Sequence, residues 1–193
     1  MIVSLRQSAK MKRHSMKCLI LTILCFFILP VSAHALEKLY EMKTSEGITV
    51  QLPVTDAGPI PTENKVAKIE VAGFGILKQN NKPLLYWSFG LTLKEDKMLK
   101  LIRVSDVTPE SETIVLINDD TPIIEKNYWE KSLEPKEINR ENFPWLYQAK
   151  PTIKLFKFTI ELEGQQTELY QLAWYSRQAK AKVIQYIKKN SGG

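Results

Sequence analysis

Leu84-Leu85-Tyr86-Trp87-Ser88-Phe89-Gly90-Leu91-Thr92-Leu93-Lys94 is the stretch on which the fold turns. Leu85, Trp87, Phe89, Leu91 and Leu93 stand at every second position. A helix turning every 3.6 residues would scatter these side chains, whereas a strand lines all of them along one face. A strand that apolar on one side needs a second layer to cover it.

The same alternation spreads outward. Upstream, Lys65 to Lys78 reads as a long strand in which Gly73 and Gly75 mark a bulge or bend. Gln79-Asn80-Asn81-Lys82 joins it to the first strand as a turn. Earlier still, Leu39–Lys43 and Ile48–Leu52 flank Ser45-Glu46-Gly47 as a hairpin, and Asp56-Ala57-Gly58-Pro59-Ile60-Pro61 is a rigid loop. Downstream come Met98–Val104 and Thr113–Ile117, ended by the turn Asn118-Asp119-Asp120-Thr121-Pro122. The alternation is lost from Ile123 to Lys150 and returns in Ile153–Leu162 and Glu168–Tyr175, where Tyr170, Leu172 and Trp174 share a face. After Ser176 the period changes. Ala179, Val183 and Ile187 recur four apart, which predicts a helix over about 176–190 with Ser176 as its cap.

About eight short strands with turns between them, then one helix, predict a mainly β chain. The expected architecture is an antiparallel β-sandwich with a C-terminal α-helix, immunoglobulin-like as first choice and a partly open barrel as the alternative. The paired cysteines that mark true immunoglobulin domains are missing, so strand count carries this expectation.

The N-terminal 35 residues are of another kind. Lys12, Arg13 and Lys17 precede an apolar run from Cys18 to Val31, and Ser32-Ala33-His34-Ala35 supplies small residues behind the helix-breaking Pro30. Basic, apolar and small segments in that order predict a cleavable secretory signal peptide over 1–35, cut after Ala35, with Ala33 as the alternative site. Met11 and Met16 are alternative starts. An uncut anchor is disfavoured, since the run falls short of the roughly 20 apolar residues that span a bilayer. The expected working part is one β-rich domain over 36–193.

Removing that segment changes the chemistry. The whole chain carries a net charge of +6, which on its face invites nucleic acid. Five of its 27 basic residues (Arg6, Lys10, Lys12, Arg13 and Lys17) lie in the signal, and none of its 21 acidic ones does. The remainder is 22 against 21, a net of +1, and a nearly neutral domain lacks the field that phosphate binding requires. Cys18, Cys25, His14 and His34 also lie at or before the cut, so the domain beyond it has no Cys and no His. Disulfides, thiolate or imidazole metal sites, cysteine nucleophiles and histidine bases are excluded there. No cofactor is expected.

Three groups of residues remain as candidate sites. Tyr128, Trp129, Phe143, Trp145 and Tyr147 crowd the non-alternating stretch, where aromatic rings either plug one end of a sandwich or stack on a ligand. Asp119 and Asp120 offer oxygen ligands for calcium, without the spacing of a known calcium loop. Carboxylate pairs for hydrolysis are numerous, but the acids alternate with lysines as on a solvated surface. The leading expectation is a non-enzymatic exported β-sandwich in a bacterial periplasm, or secreted, that binds a protein partner or cell-envelope component. A glycan- or small-ligand-binding module using the loop aromatics is the alternative, and a carboxylate hydrolase the weaker one. Neither nucleic acid nor a transmembrane helix is expected once the signal is removed.

Overall fold

A computed structural model describes residues 38–80, 82–95 and 97–190. The expected export segment, with Ala33 and Ala35, lies outside the described residues, as do Cys18, Cys25, His14 and His34.

Among the described residues eleven strands are followed by one helix: β1 Lys38–Lys43, β2 Thr49–Thr55, β3 Gly58–Pro59, β4 Ala67–Gln79, β5 Lys82–Leu93, β6 Leu99–Asp106, β7 Ile114–Asp119, β8 Tyr128–Ser132, β9 Lys136–Glu137, β10 Thr152–Leu162, β11 Gln165–Tyr175 and α1 Arg177–Asn190. A 3-10 turn covers Pro144–Tyr147. All strand pairings are antiparallel.

Two sheets make the sandwich, one ordered β4-β5-β8 with β9 also on β5, the other β11-β10-β6-β7. Lettered A to G in chain order, β4, β5, β6, β7, β8, β10 and β11 divide as A-B-E against G-F-C-D. This is the immunoglobulin-like arrangement with its fourth strand joined to the G-F-C sheet. Phe89 and Leu91 of β5 and Trp129 of β8 meet Ile102 and Val104 of β6 and Phe156, Phe158 and Ile160 of β10 in the core between the sheets. Each such large apolar side chain, taken wholly from water, contributes roughly 1.5–3 kcal/mol. The alternation in β5 is therefore the cause of this layer and not its by-product.

A third layer was not anticipated. β1, β2 and β3 form their own sheet, which lies over the outer side of β10 and β11 and closes a small cluster of Leu52, Val107, Leu155 and Leu172. This gives β11 two covered faces along part of its length. Leu172 is buried under the extra sheet, while Trp174, two positions on and on the same face, is 54% exposed.

The non-alternating stretch also differs from expectation. Within it, β8 pairs with β5 in the register Leu91↔Trp129, and β9 pairs Leu85 with Lys136. Five residues are too few for a periodic pattern to stand out from flanking turns. The helix begins as predicted, with Ser176 Oγ accepting the Ala179 N–H at 3.1 Å. Val183, Ile184 and Ile187 pack on a second cluster of Leu85, Ile138, Phe143, Trp145 and Leu146. No helix among the described residues is long and apolar enough to cross a membrane.

Candidate functional site

Between β9 and β10 the chain runs irregularly, and it must bury Phe143, Trp145 and Leu146 without a sheet register to place them. Polar bonds do the placing. Asn139 Oδ1 accepts the Asn142 N–H at 2.8 Å, and Asn142 Nδ2 donates to the Glu137 carbonyl at 2.9 Å. From the helix, Lys180 reaches in until only 3% of it is exposed. Its Nζ shares three N–H donors among the carbonyl oxygens of Trp145 (3.0 Å), Gln148 (2.9 Å) and Lys150 (2.5 Å) and Thr152 Oγ1 (3.0 Å). Burial, with Arg177 nearby, lowers the ammonium from its usual value, while these oxygens satisfy the charge. One lysine thus fastens four points of the segment.

So held, Trp145 sits 5.9 Å from Trp87 and 5.1 Å from Tyr175, centroid to centroid. Trp87 in turn packs edge-on to Phe156 at 5.3 Å. Beside this group a cleft of about 340 Å³ opens between β5, the edge of β7 and the Leu133–Trp145 segment. Trp87, Phe143, Trp145 and Phe156 make its aromatic side, and Asp106, Glu134, Lys136, Asn142 and Lys154 supply polar groups. Lys154 Nζ donates to Asp106 Oδ2 at 2.6 Å, while the hydroxyl and N–H of Thr108 both donate to Asp106 Oδ1, at 2.5 and 3.0 Å. Apolar walls with a few fixed polar groups, at this size, are the usual make-up of a small-molecule site.

The five aromatics singled out in sequence do not stay together. Phe143 and Trp145 line the cleft. Trp129 is 1% exposed in the core, its indole N–H donating to Asp119 Oδ2 at 2.9 Å, so it leaves the candidate surface. Tyr128 lies on the opposite side of β8, on the outer face of the β4-β5-β8 sheet. Tyr147 is 37% exposed, away from the cleft, with the Arg140 guanidinium 5.6 Å over its ring.

Asp119 is a structural acid. Besides Trp129, it takes Lys131 Nζ on Oδ1 at 3.1 Å, so both its oxygens meet donors of the fold. Burial pushes its carboxyl up, but Trp129, Lys131 and the Thr121 N–H outweigh this and hold it below the ordinary value. Asp120 is exposed beside it. Among the described residues no group of three or more His, Cys, Asp or Glu is placed to hold a metal ion.

Trp87, Phe156, Asp106 and Lys154 were missed as site residues. The first two read as ordinary inward strand positions, and the acid and the lysine belong to strands 48 residues apart in sequence. No local signal links them. Trp174 was missed for another reason, since its alternation with Leu172 pointed to burial.

No known family matches the chain, and no curated protein does. Among solved structures it is similar to the Br derivative of BhCBM56, at 12% identity over 61% of this chain and 98% of that one, with a TM-score of 0.33. A likeness of that size leaves the site to be argued from its own residues.

Proposed function

We propose that the chain is an exported, non-enzymatic binding module of a bacterial envelope that holds a polar, ring-bearing ligand, a short glycan first among them, in the end cleft. The observation that carries this is the cleft's make-up: Trp87 and Trp145 on one side, the Asp106–Lys154 pair and the exposed Glu134 and Lys136 around it. Sugars present an apolar ring face and a girdle of hydroxyls, and such a wall offers a partner to each. Export is supported by the order of basic, apolar and small residues over 1–35. Binding is favoured over hydrolysis because Asp106, the buried acid of the cleft, already accepts from Lys154 and Thr108.

The test is tryptophan fluorescence of the isolated domain titrated with mono- and disaccharides. A saturable change is expected, weakened about tenfold in Glu134→Gln and Lys136→Ala, both with native melting temperatures. No saturable change with any sugar removes the cleft from consideration.

Trp174 favours a second reading, an envelope protein as partner. It stands 54% exposed beside a shallow groove lined by Pro59, Pro61, Gly73 and Phe74, and exposed tryptophan on a rigid strand is a common anchor of protein interfaces. A photo-crosslinker at position 174 that captures one protein specifically in the native envelope would bring this reading to the front.

A further inference from the structure

On the outer face of the β4-β5-β8 sheet two tyrosines lie down against the backbone. The register pairs Gly75 with Tyr86, Gly73 with Ser88, Gly90 with Glu130, Ser88 with Ser132 and Thr92 with Tyr128, which puts all of these on one face. A Cβ added at Gly75 would overlap the Tyr86 ring, and one at Gly90 would overlap the Tyr128 hydroxyl end. Each ring therefore occupies space that only a glycine leaves free, and is held flat where any other residue would prop it up. Both tyrosines remain partly exposed.

Between the rings runs a polar chain. Ser132 Oγ donates to Ser88 Oγ at 3.1 Å, Ser88 Oγ to Glu130 Oε1 at 3.0 Å, and Tyr128 Oη to Glu130 Oε2 at 3.4 Å. Tyr128 ends this line, while Tyr86 stands one outward position beyond Ser88 on β5, its ring over Gly75 of β4. Tyr86 and Gly90 stand four positions apart on β5, about 13 Å at strand rise. Charges on this face and its rim pair as Lys68 with Glu70 (3.0 Å), Lys82 with Glu137 (3.4 Å) and Lys94 with Glu63 (2.8 Å), which leaves Glu130 as the extra carboxylate among the described residues.

We infer that this face binds a neutral linear polysaccharide lengthwise, with sugar rings on Tyr86 and Tyr128 and hydroxyls on the exposed Glu130 and Ser132, which the buried Ser88 braces from beneath. Flat rings set apart on a rigid sheet fit a ligand that repeats, and a mono- or disaccharide would reach one ring only. The slight excess of carboxylate disfavours an acidic polymer. A protein surface would call for an apolar centre to the patch, where this one has two serines and a glutamate. The inference shares the glycan reading of the chain and adds a surface separate from the end cleft, since none of these side chains except Tyr86 borders that cleft.

Native affinity electrophoresis tests it, in gels cast with hydroxyethyl cellulose, mixed-linkage glucan or soluble starch. The isolated domain is expected to be retarded by at least one. The double variant Tyr86→Ala/Tyr128→Ala should lose most of that retardation, a tenfold or greater weakening. Because those rings also cover backbone, a second variant plants a bulky cation at an exposed position of the same face: Ser132→Arg should weaken retention about fivefold with the fold intact. Mobility unchanged by all polymers, or retention indifferent to both variants, overturns the inference. So does a specific protein crosslinked through Tyr86 or Tyr128 in the native envelope. The cleft titration with short sugars is a separate measurement: a saturable titration without polymer retention leaves the cleft standing and removes this face, and the reverse result does the opposite.

Discussion

The interior of the sandwich and the segment from Leu133 to Lys150 both bury tryptophan, and they hold it by opposite means. Trp129 sits where strand register puts it, opposite Leu91, and needs one polar bond, to Asp119. Trp145 has no register. Its position follows from carbonyl oxygens gathered by a lysine 35 residues further on. Regular strands carry their placement within their own alternation, whereas the plug depends on side chains that arrive from elsewhere in the chain. The two regions should accordingly fail in different ways.

The largest effect is expected in the core. Phe89→Ala removes a wholly buried ring and should cost about 3–5 kcal/mol, with far-UV dichroism and tryptophan fluorescence melting together in urea. Separate transitions would break the picture of one cooperative sandwich. Lys180→Met comes next, at about 2–3 kcal/mol, because it strips a donor from three carbonyls at once. Its loss should stay local: hydrogen exchange rises over 143–150 while amides of β5 and β10 keep their protection. Equal loss in both places would erase the distinction.

Asp119→Ala sharpens the comparison from the core side. It leaves the Trp129 N–H buried without a partner, at a cost of about 1–3 kcal/mol. The pH dependence has a definite sign. A carboxyl held below its ordinary value contributes its stability in full above the ordinary value of 3.8, and that contribution disappears as the pH falls through the lower folded value. The gap between native and variant protein, followed by urea melts, should therefore close on acidification. The smallest effect has the opposite direction. The Tyr175 hydroxyl is buried with no hydrogen-bond partner among the described residues and burial pushes its pKa up, so Tyr175→Phe should be neutral or stabilising by up to about 1 kcal/mol. A clear loss in melting temperature would mean that the hydroxyl has a partner.

The same contrast explains what was legible in the sequence. The strands of the sandwich declare themselves, since Leu85 to Leu93 in β5 and Phe156 to Leu162 in β10 repeat at the period that burial on one face demands. Ser176 and the four-residue spacing after it declare the helix just as plainly. The third layer does not announce itself, because Leu172 and Trp174 look alike in alternation and only the reach of β1–β3 separates them. Half of the cleft was visible as the cluster Phe143–Trp145. The other half, Asp106 with Lys154 and Trp87 with Phe156, exists only because sheet pairing brings distant segments together. The tyrosines over glycine were hidden for a related reason: Gly75 read as part of a bulge or bend and Gly90 as one more position of a strand, and their purpose appears only when the ring across each is placed.

The lysine that ties the plug also separates the residues that line the cleft from the element that shapes it. Every residue lining the cleft precedes position 157, yet the segment that shapes it is fixed only when Lys180 is delivered by the last helix. β11, the last strand of the sandwich, ends at Tyr175, five residues before Lys180, so sheet and plug are completed within one short stretch of chain. A product truncated between Tyr175 and the helix would keep every strand and all the lining residues, and would lose the bonds that hold the segment. The shape of the cleft is thereby assigned to a helix that lines none of it.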